Sequence, residues 1–201
     1  MCVLASPAQT KTDKHISFNG KQSVNLDIQI ADSIDIETWN KNEVWIAASV
    51  NINENKDNNA YQISFDESGN EVAVKGNFKK DYFKDKEKNC CNETEIYWKV
   101  FIPENIPLNV ETINANTTIT GKTGVLKIKT ISGFIDLSVP ESKNADVKFS
   151  TITGTVYTNH SLDVHRQSKS LPEKFSHKLN NGGDLISLET ISGDIFFRKA
   201  D

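Results

Sequence analysis

The chain has 201 residues, a formal net charge of −4 and 37% hydrophobic residues. That length accommodates one elongated domain or two small ones with a substantial core. No basic stripe is present, which argues against a nucleic-acid partner, and no stretch reaches the ~20 apolar residues of a membrane-spanning helix.

Taken in chain order, Met1-Cys2-Val3-Leu4-Ala5-Ser6-Pro7-Ala8-Gln9 comes first. Its short apolar run, followed by small residues at Ser6 and Ala8, reads as the tail of a secretory signal, with an ordinary frayed terminus as the alternative. Residues 1–14 are accordingly set apart as a signal-peptide remnant or disordered N-terminus. Period-2 alternation then marks strands at Val24, Leu26, Ile28 and Ile30, at Ile34 and Ile36, and at Val44 and Ile46. Ile63 and Phe65, then Val72 and Val74, flank a turn at Ser68-Gly69. Asn53 to Asp57 reads as a hairpin tip, its oxygen ligands lacking the spacing of an EF-hand. Tyr97 to Ile102 reads as a strand ending at Pro103. Two insertions interrupt this rhythm: the charged stretch 79–94, expected to be a protruding loop, and 161–183, with a helical turn expected at Leu171-Pro172-Glu173-Lys174-Phe175.

The second half repeats itself. Thr112, Thr130, Thr151 and Thr190 each open a similar phrase, as in TISG at 130–133 and TISGDIFF at 190–197. Residues two and four places before each Thr are apolar in all four copies: Val110 and Leu108, Ile128 and Leu126, Phe149 and Val147, Leu188 and Ile186. Five and seven places after stand Thr117 and Ile119, Ile135 and Leu137, Val156 and Thr158, Ile195 and Phe197. The inward parity changes across the Ser/Thr-Gly pair, so the chain bends there, with glycine supplying backbone freedom. Asn114-Ala115 replaces that pair in the first copy, which predicts a gentler corner. One strand-corner-strand unit cannot bury its own apolar row, whereas stacked units can. The expected fold is therefore all-β: a right-handed, single-stranded parallel β-helix, or β-solenoid, over 15–201, with irregular coils at 15–103 and regular repeats at 104–201. An antiparallel sandwich is the competing architecture.

The phrases Thr130-Ile131-Ser132-Gly133 and Thr190-Ile191-Ser192-Gly193-Asp194-Ile195 resemble the repeated Ser-Gly-Asp-Ile/Val signature of a bacterial, Bacteroidetes-type adhesin family of unassigned function. Val100-Phe101-Ile102-Pro103, Trp45-Ile46 and the closing Phe196-Phe197-Arg198-Lys199 are similar to it as well. The resemblance spans about residues 16 to 199. It implies a right-handed β-helical fold and an adhesive or sensing role at the cell envelope, and it brings no catalytic motif.

Site chemistry is sparse. Cys90 and Cys91 are adjacent, so a bond between them would be strained, and Cys2 leaves an odd thiol; they read first as incidental thiols of a surface loop, then as part of some disulfide, and last as metal ligands. His15, His160, His165 and His177 lack metal spacing. Ser132 and Ser192 lack a nucleophile elbow and read as corner residues, and Asp136 and Asp194 stand at different offsets, forming no carboxylate pair. No catalytic, cofactor-binding or metal-ligating residue is expected, and no cofactor. Every anchor Thr, however, is followed by isoleucine: Ile113, Ile131, Ile152 and Ile191. Equal offsets would stack these into a ladder, either an exposed contact stripe or a row covered by an insertion or the corner. The reading is a non-enzymatic, exported binding or structural module in the periplasm or at the cell surface, with a missing N-terminal segment as a route to membrane anchoring. Its partner would be an envelope protein or glycan. A stress sensor acting through a protein partner is the alternative, and a carbohydrate-active enzyme ranks last.

Overall fold

A computed structural model describes residues 9–83, 93–162, 165–166 and 173–200. Cys2, Cys90, Cys91, most of the charged 79–94 insertion and Leu171-Pro172 lie outside them.

The all-β expectation holds; the β-helix does not. Sixteen strands form one mixed, open sheet: β1 Thr10–Ser17, β2 Ser23–Ile28, β3 Ile30–Trp39, β4 Glu43–Ile52, β5 Tyr61–Asp66, β6 Glu71–Phe78, β7 Thr94–Pro103, β8 Leu108–Thr120, β9 Leu126–Ser132, β10 Ile135–Val139, β11 Ala145–Thr151, β12 Val156–Thr158, β13 His165–Arg166, β14 Glu173–Leu179, β15 Asp184–Ser192 and β16 Ile195–Lys199. The described helical content is the 3-10 turn Asn58–Ala60. Five antiparallel pairings, β1–β4, β4–β7, β5–β6, β11–β14 and β13–β14, stand beside the parallel ones, which a single-stranded parallel coil would not contain.

Strand order departs from a coil-by-coil winding in a second way. One parallel row runs β6–β2–β8–β9–β15–β11, and the other β7–β3–β8–β10–β16–β12, with β8 long enough to belong to both. The fourth phrase, β15–β16, therefore sits between the second and the third. Periodicity fixes which way a side chain faces, but four copies with the same offsets are interchangeable as neighbours, so it could not fix this order.

Within the strands the inward pattern is as expected. Of the sixteen flanking positions, all but Val156 and Thr158 are buried, and those two lie on the short outer strand β12. Val24, Leu26, Ile28, Ile34, Ile36, Val44, Ile46, Val72 and Val74 join them in one continuous core. Three local expectations change. Glu173–Leu179 extends along β11 as a strand instead of starting a helical turn. Asn53, Glu54 and Asn55 adopt positive φ in a turn whose flanking strands, β4 and β5, pair elsewhere, so it is no hairpin tip. Ser68-Gly69, by contrast, does close the β5–β6 hairpin. β8 passes through Asn114-Ala115 without a break, as a gentler corner requires.

Candidate functional site

The corners explain most of the repeated phrase. Thr112, Thr130, Thr151 and Thr190 are buried. The Thr130 hydroxyl donates to the Ser132 carbonyl at 2.7 Å, and those of Thr112 and Thr151 reach the Gln29 and Gly193 carbonyls at 3.3 Å. Glycine answers to a close approach. A methyl on Gly133 would collide with the Ala115 carbonyl, one on Gly193 with the Gly133 carbonyl, and one on Gly154 with the Gly193 carbonyl. Each corner thus rests its backbone directly on the corner beside it. Gly133 also has φ +101°, a conformation that disfavours any side chain.

The isoleucines have no such structural reason. Register places Thr112 opposite Thr130, and Thr130 opposite Thr190, with β11 next in the row. The ladder therefore runs Ile113, Ile131 and Ile191 across β8, β9 and β15, and on to Ile152 in the corner just past the end of β11. These side chains are 44%, 48%, 46% and 39% exposed, which settles the sequence alternative in favour of an open stripe. A second outward row lies two residues before each isoleucine, at Glu111, Lys129, Glu189 and Ser150, and continues onto β2 at Asp27. Between the two rows is an open groove of about 410 Å³, lined also by Thr112, Thr130 and Thr190 and, on the β2 side, by Gln29. None of its three carboxylates lies within 4.0 Å of a basic nitrogen among the described residues, although Lys129 stands in register with Glu111 and Glu189.

The other residues singled out in the sequence stay apart. Asp194 reaches the neighbouring corner, accepting from the Thr155 N–H at 2.8 Å. Asp136 is buried against Arg198, whose Nε donates to it at 2.9 Å while Nη2 donates to its other oxygen. His160 is buried and stacks on Phe197 with ring centroids 4.7 Å apart; that burial lowers its pKa from the usual 6.5. His15 is exposed beside Glu43, and the His165 side chain lies outside the described residues. Among the described residues, no three His, Cys, Asp or Glu side chains cluster as metal ligands, and no helix is long and apolar enough to cross a membrane.

Two features escaped the sequence. An aromatic row crosses β1, β4, β7 and β3: His15 against Trp45, then Phe101 between Trp45 (5.2 Å) and Trp39 (5.0 Å). Its indole N–H groups already donate to Asp13 and to the Glu43 carbonyl, and its rings tilt against each other, so it is cross-strand packing. A smaller apolar hollow of about 210 Å³ opens beside Phe149, Val156, Leu162 and Phe175, where β11 and β12 end the two rows. Neither could be read locally, because each depends on which strands become neighbours.

No protein-family model matches the chain, and no curated protein resembles it significantly in sequence. Among solved structures, a "putative cell adhesion protein" from Clostridium sporogenes is 11% identical with a TM-score of 0.57, over 96% of this chain and 100% of that one. A "putative adhesin" from Parabacteroides merdae is 16% identical with a TM-score of 0.32, over 74% of this chain and 63% of its own. A "putative lipid binding protein" from Parabacteroides distasonis is 8% identical with a TM-score of 0.29, over 96% and 97%. The clostridial likeness is one of fold: this chain shares its overall architecture with that protein.

Proposed function

We propose that the chain is a non-enzymatic binding module of the bacterial cell envelope, exported and adhesin-like, with the isoleucine-lined groove as its contact surface. The observation that carries this reading is the ladder itself. Outward strand positions are ordinarily polar, yet the neighbouring strands β8, β9 and β15 each present an exposed isoleucine at the same register, and Ile152, one residue past the end of β11, adds a fourth. The corner contacts account for Thr112, Thr130 and Thr151 and for the glycines, but not for these residues. The clostridial fold neighbour, described as a "putative cell adhesion protein", is in keeping with the adhesive class. Periplasm or cell surface is the corresponding location, and an envelope protein or glycan the corresponding partner class.

The test is co-sedimentation of purified protein with envelope preparations. Ile131→Asp combined with Ile191→Asp sets two like charges side by side and should cost about 1–3 kcal/mol in all, leaving the buried core folded, and remove retention. Retention equal to that of the unsubstituted protein would place the contact surface elsewhere.

A further inference from the structure

The groove has a spacing and a charge as well as an apolar wall, and together these select among occupants. Neighbouring strands are about 4.8 Å apart, so the four isoleucines span about 14 Å at that step. An occupant running along the ladder must present apolar groups at a similar interval. An α-helix does so, with side chains recurring on one face every three or four residues and a pitch of 5.4 Å. About ten helical residues at 1.5 Å each would cover the row. An extended strand repeats its side chains on one face only every ~6.6 Å, and would fall out of step with the ladder after one contact.

The opposite wall restricts the chemistry further. Asp27, Glu111 and Glu189 line the groove against a single lysine, Lys129. Asp27 and Glu111 stand side by side in register, a like-charge neighbour pair that costs stability in a sheet. Lys75 faces Asp27 from β6 and lies outside the groove, and none of the three carboxylates is ion-paired among the described residues. A hydrocarbon chain alone would satisfy the isoleucines but bury three carboxylates that share one lysine within the groove, Lys129, with Lys75 beside Asp27 outside it. Basic side chains flanking an apolar seam would satisfy both walls.

We infer that the groove receives a basic amphipathic helix of a protein or peptide partner, its apolar seam on Ile113, Ile131, Ile191 and Ile152 and its Lys or Arg side chains toward Asp27, Glu111 and Glu189. This deepens the proposed function and rests on the groove being the contact surface. The mode is helix-in-groove recognition, with the ladder supplying affinity and the acidic wall supplying orientation.

The experiment uses the full chain and three fluorescent peptides of about eighteen residues: a Leu/Lys sequence with helical amphipathic spacing, the same composition interrupted by proline, and a Leu/Glu counterpart. The Leu/Lys helix should bind, and the other two should bind at least about tenfold more weakly by anisotropy. Ile131→Asp with Ile191→Asp should abolish binding. Glu111→Lys with Glu189→Lys should weaken the Leu/Lys helix by about tenfold and improve the Leu/Glu helix. Equal binding of the proline-interrupted peptide, or indifference to the charge reversal, would overturn the proposal. So would phosphatidylcholine vesicles captured through the isoleucines, which would mark a lipid site, or a dimer that the same double substitution dissolves, which would mark a second copy as occupant. If the isoleucine variant loses envelope retention while the three peptides bind alike, the contact surface stands and the helix falls. If it loses peptide binding but keeps retention, the peptide site stands and the envelope reading falls.

Discussion

Gly193 shows how a residue's reason can differ from the one its sequence suggests. In the phrase TISG, glycine reads as a bend residue, valued for backbone freedom. The structure adds a steric requirement: the carbonyl of Gly133 occupies the space a side chain would need. Gly193→Ala should therefore cost about 2–3 kcal/mol in chemical denaturation, as overpacking against rigid backbone does. Gly69, with nothing near its missing side chain, is the control, and Gly69→Ala should stay within about 0.5 kcal/mol. His160 gives a pH-dependent prediction. Its burial lowers the native pKa below the usual 6.5, so on acidification the unfolded chain takes up this proton first. The stability that the neutral imidazole contributes is present above about pH 6.5 and is lost as pH falls toward the lower native pKa. Denaturation midpoints should decline over that range, and less steeply in His160→Phe. The inward residues were legible from parity alone, and so was the isoleucine column. Its exposure was not, because no local pattern tells an open row from a covered one.

At the scale of elements, the strands flanking each Thr were readable because Leu126, Ile128, Ile135 and Leu137 alternate on either side of a corner, and their counterparts do the same. β14 was missed because the Leu-Pro-Glu-Lys sequence before Phe175 looks like a helix start, while the feature that makes it a strand is the exposed edge of β11. The order of the strands could not be read either. A coil wound in sequence order would set β11 against β9, whereas the structure sets β15 there, with Lys129 opposite Glu189. Cysteine pairs distinguish the two arrangements, since adjacent parallel strands lie within disulfide reach and next-nearest strands do not. With Cys2, Cys90 and Cys91 replaced by serine, Lys129→Cys with Glu189→Cys should cross-link on mild oxidation. Lys129→Cys with Ser150→Cys should remain free. The reverse outcome would restore sequential winding.

For the whole molecule, two parallel rows bury one core, and antiparallel strands flank them at β5, at β4 and β1, and at β14 and β13. Such flanking limits open pairing edges and leaves the outer faces available for contact. On one of those faces, aligned register converts a repeated Thr-Ile dipeptide into a continuous apolar ladder beside an acidic wall. The architecture thus turns a sequence repeat into a surface repeat, and the partner is expected to carry a matching period. The most direct measurement is methyl NMR of protein labelled at the isoleucine δ1 carbons, titrated with the Leu/Lys helix. Shifts are expected at Ile113, Ile131, Ile152 and Ile191, with the buried Ile36, Ile46 and Ile128 unmoved. Perturbation centred on other methyls, or none at saturating peptide, would contradict this expectation.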